Sequence, residues 1–397
     1  MNVGERIQLD ITSMAHGGEA VGRLEGRVVF VRDALPGESV IAEITATPAH
    51  GRFMRARAVD IVTASPDRVR PPCRYADRCG GCDWQHIDLP AQRRLKATVI
   101  AEQLTRIGGE PSDRWSHLEV EALEGDADGL RWRTRMRYAV DPEGRPGLRA
   151  HHTHDVVAVT ECLIASPAIG GAAVLDRAWP GAREVLGVQP DGSAVLLPDP
   201  VPGRARVTQH AADREWTFDA TAFWQVHPGA ADALVRAVHS LLRPRAGDHL
   251  VDLYAGVGLF AGAFAEALGP GGRADAVEAD EIAIKGARRS LHDLPTVHIH
   301  HERVDRWLTR GPLRHCDLVV LDPPRTGAGK DVVERISALR PRAIAYVACD
   351  PAALARDVAT ARQLGWEMTA LRAFDLFPMT HHVECVALLE PRDSLTS

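Results

Sequence analysis

The chain lacks any long apolar run. Its longest stretches without a charged residue are Leu253–Ala265 and Cys162–Leu175, and both are shorter than the roughly 20 apolar residues that a membrane-spanning helix needs. The first ten residues, MNVGERIQLD, also lack the apolar centre of a signal peptide. These absences predict a cytoplasmic protein with no membrane segment.

Lysine is scarce as well, because only Lys96, Lys285 and Lys330 occur among 47 basic residues. The net charge of −6 argues against a general nucleic-acid binder. The segment LRWRTRMRYAV nevertheless places arginines at positions 131, 133, 135 and 137. On a strand, alternate residues share one face, so this run predicts a strip of guanidinium groups that faces phosphates. A solvated strand face is the alternative.

The composition, 45% hydrophobic and 25% charged, excludes collagen, coiled coil and long disorder. A length of 397 residues predicts two or three domains. Four short β-rich runs with Gly and Pro turns predict a small β-barrel over 1–62. A mixed α+β domain follows over 63–224, in which a helix over 90–108 could pack on the last domain. Residues 225–397 alternate strand and helix, the pattern of a Rossmann-like α/β domain with a parallel sheet.

A glycine-containing turn joins a strand to a helix in VDLYAGVGLF. Gly256 and Gly258 make only a GxG, not the full dinucleotide fingerprint. The next strand ends at Glu278, 26 residues after Asp252, where a carboxylate can accept hydrogen bonds from both ribose hydroxyls. This favours a nucleoside cofactor without a pyrophosphate, S-adenosylmethionine, over NAD or a purely structural turn.

Three residues with reactive or ionisable side chains lie at strand ends in the last domain. Asp322 follows a buried strand and opens the motif DPPR, so it is expected to point into the ligand crevice of the sheet. Cys349 ends the strand AIAYVAC, a position suited to a nucleophile, although a small buried residue is the alternative. Glu384 lies in the apolar strand VECVALL, where we weigh a general base against surface exposure.

Three cysteines lie close together as Cys73, Cys79 and Cys82, in C-x5-C-G-G-C. In a cytosolic protein such spacing indicates a metal site rather than disulfides. Cys162 is the best candidate for a fourth ligand. Three clustered cysteines and one distant one favour an iron–sulfur cluster, with zinc and unrelated thiols as the alternatives.

Taken together, these residues resemble the RNA 5-methyluridine methyltransferase family, which uses S-adenosylmethionine. Residues 1–62 resemble its TRAM domain, an RNA-binding barrel, through MAHGGEAVGR and VVFVRDALPGE. The segment CRYADRCGGCDWQH, with Cys162, is similar to the family's [4Fe–4S] site, and AFWQVHPGAA to its F-x-Q segment. The remaining motifs follow in the family's order: DLYAGVGLF, VEAD, DPPR, YVACDP and FPMTHHVECVALL.

The resemblance implies a role for each matching residue. Cys349 becomes the nucleophile, which adds to carbon 6 of the uracil, and Glu384 the base that removes the proton from carbon 5. The target uridine must be unstacked, in a loop or flipped out. The positions that match the cofactor site are Gln225, Tyr254, Gly256, Gly258, Glu278 and Asp322, of which Asp322 could also contact the uracil.

Three positions depart from the family pattern. Leu259 stands where many members have Asn, His227 where Asn usually follows the F-x-Q segment, and Arg303 aligns with a position that is often Asp near the adenine. These departures put cofactor affinity and fine geometry in question, but not the type of reaction.

Two other functions compete with this interpretation. RNA 5-methylcytosine methyltransferases typically use a second cysteine in the DPP-type loop, and DPPR has none. A non-catalytic RNA-binding or ribosome-assembly protein would tolerate loss of Cys349 or Glu384, and both are present. The TRAM-like barrel and the cysteine cluster favour 23S ribosomal RNA over transfer RNA as the substrate, and we expect a monomer.

Overall fold

The computed structural model describes residues 2–48, 53–151, 153–199 and 205–392. A closed five-stranded barrel comes first, with strand order β1-β2-β3-β5-β4. Its strands are β1 (Arg6–Met14), β2 (Ala20–Leu24), β3 (Arg27–Arg32), β4 (Ser39–Ala46) and β5 (Phe53–Thr63). The sequence pattern missed β2, because this five-residue strand lies between two tight turns and carries a glycine. The alternating burial of β1 turns Leu9 and Ile11 into the barrel core.

The middle of the chain forms a five-stranded sheet with the order β11-β10-β7-β8-β9 and a separate hairpin, β12-β13. The elements in chain order are α1 (Leu89–Arg106), β6 (Val120–Glu121), β7 (Arg135–Val140), β8 (Pro146–Arg149), β9 (Val156–Ala158), α2 (Pro167–Gly170), α3 (Ala172–Leu175), β10 (Glu184–Val188), β11 (Val195–Asp199), β12 (Arg206–Ala211) and β13 (Arg214–Asp219). Helix α1 packs on the last part of the chain, as the sequence suggested it could.

The last part alternates helices and strands. Its elements are α4 (Ala230–Leu242), β14 (His249–Leu253), α5 (Leu259–Leu268), β15 (Arg273–Glu278), α6 (Glu281–Ser290), β16 (Val297–His301), α7 (Val304–Arg310), β17 (Leu318–Leu321), α8 (Lys330–Ala338), β18 (Ala343–Ala348), α9 (Pro351–Gln363), β19 (Trp366–Phe374) and β20 (Glu384–Pro391). The predicted Rossmann-like fold with an N-terminal barrel is confirmed.

These strands build an eight-stranded sheet with the order β16-β15-β14-β17-β18-β20-β19-β6. Strands β14 to β18 pair in parallel, whereas β20 runs antiparallel between β18 and β19. The chain reverses its direction of strand addition between β14 and β17, and ligands of open α/β sheets bind at such a point. One apolar core lies on each face of the sheet.

Two segments of the predicted middle domain pack against the last part of the chain. Strand β6 pairs with β19 at the edge of the sheet, and the β12-β13 hairpin packs on α6. None of the helices in the described parts of the chain combines the length and the apolar character needed to cross a bilayer.

The predicted arginine strip does not form as one strand face, because β7 begins only at Arg135 and two of the four arginines are engaged within the protein. The guanidinium of Arg135 donates to the carbonyl oxygens of Ala220 and Ala222 (2.6 Å to the latter), which ties β7 to the end of the β12-β13 hairpin. Arg137 pairs with Glu184 at 3.1 Å. Arg131 lies before the strand, with a positive φ of 60°, so it does not continue the alternation.

A buried ion pair fastens α1 to the sheet. Lys96 Nζ lies 2.6 Å from Asp375 Oδ1, and neither side chain has any solvent exposure. The ammonium also donates to the carbonyl oxygen of Phe377 at 3.2 Å, while Arg93 contacts the other oxygen of Asp375 at 3.3 Å. Burial lowers the pKa of Lys96, and the Asp375 carboxylate opposes this effect. The pair joins the helix to the loop that leads toward β20.

Replacing Lys96 with Met should therefore destabilise the protein by about 3 kcal/mol, because the Asp375 carboxylate stays buried with Arg93 as its remaining charged partner. Lys285→Ala is the matched control, since Lys285 forms an exposed pair with Glu281 one helical turn away, of a kind that contributes about 0.3–0.5 kcal/mol. Urea unfolding measures both variants. Equal unfolding midpoints for the two would contradict the role given to the buried pair.

Candidate active site

The register of β18 and β20 brings the two predicted catalytic residues together. Ala348 pairs with Cys385 in this antiparallel ladder, so the next pair along places Cys349 opposite Glu384. Residues directly opposite each other in a sheet have Cβ atoms about 4.5–5.5 Å apart. Cys385 points to the other face and is completely buried in the core there. Because side chains alternate along the strand, Glu384 faces the site while its neighbour Cys385 lies in the core.

Asp322 joins this pair by the same alternation. It follows β17 two residues after Val320, which packs in the core on the face that carries Cys349 and Glu384. Glu384 is only 4% exposed despite its carboxylate. All three line one cavity of about 1330 Å³ at the carboxyl ends of the parallel strands.

The same cavity holds most of the predicted cofactor residues. Its walls include Gln225, Tyr254, Gly256 and Glu278. Tyr254 and Glu278 also line a second cavity of about 580 Å³, so the two cavities adjoin along the end of β14. The crevice has room for a ligand that extends from the sheet ends to Cys349 and Glu384.

Gly258 differs from the other predicted cofactor residues, because it is absent from the described lining of both cavities. It caps the start of α5 with a φ of 87°, in the left-handed region that favours glycine. A Cβ there would lie 2.5 Å from Cδ1 of Leu291. The structure thus gives Gly258 a role in the shape of the turn.

The Glu278 carboxylate organises the loops at the crevice. Its Oε2 accepts the N–H of Gly256 at 2.8 Å, and Oε1 accepts the N–H groups of Ala279 at 2.6 Å and Asp280 at 2.7 Å. A carboxylate has about four acceptor positions, so one remains for a ligand hydroxyl. The carboxylate both fixes the glycine turn and presents an acceptor to the cavity.

Burial dominates the electrostatics of the cluster formed by Cys349, Glu384 and Asp322. Burial raises the pKa of the Cys349 thiol to about 12, with further increases from the Glu384 and Asp322 carboxylates and an opposing effect of Arg325. Burial likewise raises the pKa of Glu384 well above its usual value and that of Asp322 to about 7. At neutral pH the cluster therefore holds protons that ordinary carboxylates would have lost.

Several residues without a role in the sequence analysis contribute to this region. Asp252, at the end of β14, is 1% exposed, and burial raises its pKa to about 8. Its Oδ2 accepts the N–H of Ala261 at 2.9 Å and so steadies the start of α5. Arg325 lines the large cavity and contacts Nε2 of His382 at 3.4 Å. Phe223 exposes 64% of its surface there, an unusual state for phenylalanine.

All three residues lie in motifs that the sequence analysis quoted. DPPR ends in Arg325, the F-x-Q segment begins with Phe223, and DLYAGVGLF begins with Asp252. The motif letters do not show that Asp252 is buried or that it accepts the N–H of Ala261.

The three departures from the family pattern lie in different surroundings. Leu259 is buried in the core, and His227 is 3% exposed and stacks on Trp132 with ring centroids 6.0 Å apart. Burial lowers the pKa of His227 to about 4, so the ring is neutral at pH 7. Arg303 lines the second cavity and forms a bidentate pair with Asp305 at 3.0 and 2.9 Å. Among the three, Arg303 is therefore the one placed to affect a bound ligand directly.

The four predicted cluster cysteines converge on a separate pocket. Its lining includes Cys73, Cys79, Cys82 and Cys162, all of them free thiols. The rest of the wall is largely apolar, with Leu148, Val159 and Ile164. The sulfur of Cys73 accepts the N–H of Tyr75 and that of Cys79 the N–H of Gly81, both at 3.4 Å. The fold thus unites three neighbouring cysteines with one that is 80 residues further along the chain.

The spacing of these thiols does not match a single bound ion. Among residues 2–48, 53–151, 153–199 and 205–392, no three His, Cys, Asp or Glu side chains are placed to hold one metal ion. Thiolates on one Zn²⁺, each with a bond of about 2.3 Å, would lie within about 4 Å of each other. Burial raises the pKa of Cys162 to about 11, so these thiols stay protonated unless a metal draws out their protons.

Comparison with known families gives two matches. The tRNA (Uracil-5-)-methyltransferase family matches residues 308–392, the segment that contains Asp322, Cys349 and Glu384. The TRAM domain family matches residues 1–59, which form the barrel.

Related proteins match over nearly the whole chain. An uncharacterized RNA methyltransferase of Streptomyces avermitilis is 46% identical over 98% of this chain and 99% of its own length. One from Streptomyces coelicolor is 43% identical over 98% of this chain and 93% of its own. Among solved structures, the Pyrococcus abyssi tRNA (uracil-54, C5)-methyltransferase, in complex with S-adenosyl-L-homocysteine, superposes with a TM-score of 0.71. It covers 96% of this chain and 99% of its own at 21% identity, a likeness of fold.

Proposed function

Because the chain belongs to the RNA 5-methyluridine methyltransferase family, we propose that it transfers a methyl group from S-adenosylmethionine to carbon 5 of a specific uridine in RNA. The observation that carries this proposal is that Cys349 and Glu384, the next residues beyond the Ala348–Cys385 pair of the β18–β20 ladder, line one cavity with the cofactor-type residues. We place this activity on a single chain, in the cytoplasm.

The cofactor would lie along the crevice. Glu278 has one acceptor position left for a ribose hydroxyl, and the backbone at Gly256 permits a close approach. The remaining contacts would come from Gln225, Tyr254 and Asp322, with Gly258 shaping the turn. When bound, S-adenosylmethionine supplies a methyl group on a positively charged sulfur, which is a strong electrophile.

Carbon 5 of uracil is a weak nucleophile, so the enzyme must first activate it. The Cys349 sulfur adds to carbon 6, which places negative charge on carbon 5 and oxygen 4. Carbon 5 then takes the methyl group. Glu384 removes the proton that remains on carbon 5, the bond between carbon 6 and the sulfur breaks, and the cysteine is released.

The raised pKa values give each acidic group a task. The Cys349 proton must leave as the sulfur attacks, and Asp322, which a pKa of about 7 leaves partly ionised at neutral pH, is a carboxylate beside the thiol that can accept it. Glu384 must be ionised to act as a base, which the guanidinium of Arg325 favours, and its raised pKa then makes it a strong acceptor for the later proton from carbon 5. Arg325, which faces Cys349 and Glu384, opposes the accumulation of negative charge.

Substitution of the two catalytic residues should give distinct results. Cys349→Ala should abolish methylation and any covalent RNA complex. Glu384→Gln should trap the protein–RNA adduct, because the carbon 5 proton then stays in place and the sulfur cannot leave. Denaturing gels of labelled RNA measure the adduct. Cys385→Ala is the matched control, since this cysteine faces the opposite core, and it should keep activity. A fully active Cys349→Ala would exclude the mechanism.

The RNA substrate is argued from the barrel and the cysteine pocket. The TRAM-type barrel supports RNA as the partner, and its combination with four clustered cysteines leads us to propose 23S ribosomal RNA rather than transfer RNA. Unstacked uridines occur in loops of both, so the fold does not discriminate between them.

Nucleoside mass spectrometry of RNA fragments should identify the substrate. Cells without this gene should lose 5-methyluridine from one fragment of 23S ribosomal RNA, and the wild-type gene, but not Cys349→Ala, should restore it. Loss of 5-methyluridine from transfer RNA instead would identify transfer RNA as the substrate. Loss of 5-methylcytidine instead would identify the cytosine enzyme, and no change in any methylated nucleoside would favour a binding role.

We further propose that Cys73, Cys79, Cys82 and Cys162 hold a [4Fe–4S] cluster. Four free thiols in one apolar pocket supply the donor set of such a cluster. The cluster loop also reaches the large cavity, which Gly80, Gly81 and Asp83 help to line. Because methyl transfer needs no electron, we give the cluster a structural or RNA-contacting role.

Protein purified without oxygen should contain about four iron and four sulfide per chain, by elemental analysis, as four cysteine ligands imply. Cys162→Ser should lower the iron content, whereas Cys349→Ala, outside the pocket, should leave it unchanged. One zinc per chain and no iron would support the zinc alternative, and absence of both metals would leave four unrelated thiols.

A further inference from the structure

The turn between β1 and β2 of the barrel, residues 15–19, reaches the catalytic pair. His16 and Gly17 line a small cavity of about 110 Å³ together with Cys349 and Asp350. Gly17 also lines the large cavity. The barrel, which matches the TRAM domain family, therefore contributes to the wall of the proposed reaction site.

The first contact of this turn is made next to the nucleophile. His16 Nε2 lies 3.1 Å from Asp350 Oδ2, and both side chains are partly exposed. The other carboxylate oxygen, Oδ1, accepts the N–H of Ala353 at 2.8 Å and caps α9. Since an ionised carboxylate can only accept hydrogen bonds, Nε2 must carry the proton in this contact. Asp350 is thereby held from two sides, and it follows Cys349 directly in the chain.

The second contact is made three residues before the base. Gly18 has a φ of +83°, and a Cβ on it would lie 2.7 Å from Cβ of His381. His381 is fixed from its other side by Asp83, with Nδ1 2.7 Å from Oδ2. The indole N–H of Trp84 donates to the carbonyl oxygen of Gly18 at 2.9 Å, which keeps the turn in place. The loop that leads into Glu384 is thus pressed against the barrel.

We propose that the β1–β2 turn positions the two catalytic residues. His16 is a positioning residue that holds Cys349 through Asp350, and Gly18 sets the position of Glu384 through His381. This inference rests on the proposed function, because it takes these two residues as nucleophile and base. The turn touches both sides of the pair at once, so RNA seated on the barrel and the reacting groups share one rigid support.

The charges around Cys349 define what the loss of His16 would do. The thiol is faced by the carboxylates of Asp322, Glu384 and Asp350 and by the guanidinium of Arg325. The hydrogen bond from His16 satisfies Asp350 and lowers its pKa. Without it, Asp350 is held from one side only, by the N–H of Ala353. Its negative charge is then less compensated, and the thiol loses its proton less readily.

The first experiment compares His16→Ala with His16→Gln. Methylation is assayed with total RNA from cells that lack the gene, and the alkylation of Cys349 by iodoacetamide is followed against pH by peptide mass spectrometry. A hydrogen bond to a charged group is worth about a ten-fold change or more. His16→Ala should therefore lower kcat about ten-fold at an unchanged KM, and shift the alkylation profile to higher pH. His16→Gln should restore both, because its amide N–H can reach Asp350.

His210→Ala is the matched control. His210 lies on β12, away from the site, and its Nδ1 is 2.8 Å from Asp191 Oδ2, a contact like that of His16. This variant should behave as wild type. An unchanged kcat and alkylation profile in His16→Ala would overturn the proposal. A rise in KM alone would also overturn it, because the turn would then serve RNA binding only.

The second experiment compares Gly18→Ala with Gly26→Ala. Both glycines lie in barrel turns with similar positive φ values, +83° and +81°, but a Cβ on Gly26 would meet nothing within 4 Å. The backbone strain is therefore similar, and the contact with His381 differs. Gly18→Ala should lower kcat at least about ten-fold further than Gly26→Ala, since misplacements of about 1 Å can cost 100-fold in rate. Equal losses would contradict the role of Gly18.

The proposal and the proposed function fail in different ways. If Cys349→Ala stays active, the proposed function fails and the inference fails with it. If Cys349→Ala is inactive while His16→Ala and Gly18→Ala match their controls, the function stands and only the inference fails.

Discussion

The pairing of β18 with β20 is the constraint on which the rest of the site depends. These two antiparallel strands place Cys349 opposite Glu384, although the residues are 35 positions apart in the chain. A slip of one residue in this register would turn Glu384 into the core that now contains Cys385, because side chains alternate between the faces of a sheet. The apolar residues on both faces of β20 oppose such a slip, since every one of them would change its surroundings.

A consequence of this register is a close cluster of three acidic groups. Cys349, Glu384 and Asp322 are drawn to one face at the ends of three neighbouring strands, where burial raises the pKa of each. Such a cluster would oppose folding if it carried its full charge. Retained protons and the guanidinium of Arg325 lessen that cost, and the same raised pKa values suit groups that exchange protons during a reaction. The stability and the chemistry of the site thus have one physical origin.

The barrel, the cysteine segment and the sheet are joined around this cluster. The β1–β2 turn contacts Asp350 and His381, the cysteine loop contacts His381 through Asp83, and α1 is tied to Asp375 by Lys96. These contacts bring distant parts of the chain to the loops that flank Cys349 and Glu384. The domain division predicted at residues 62 and 224 describes the order of the chain. In space, β6 joins the last sheet, α1 packs on α9 and the β12-β13 hairpin packs on α6.

Much of the fold and the candidate site followed from the sequence, because period-two and strand–helix patterns report local geometry. The Rossmann-like alternation, the barrel, α1 and the strand-end positions of Asp322, Cys349 and Glu384 were predicted from such patterns. The short strand β2 was missed, and the arginine strip does not form as one strand face, because β7 begins only at Arg135 and two of the four arginines have partners on other segments. The contacts of His16 and Gly18 with residues more than 300 positions away also had no local signal. The sequence by itself determined which chemical groups stand at the ends of which strands. Only the tertiary structure decided which of them meet, because register, burial and contacts between distant segments arise when the whole chain packs.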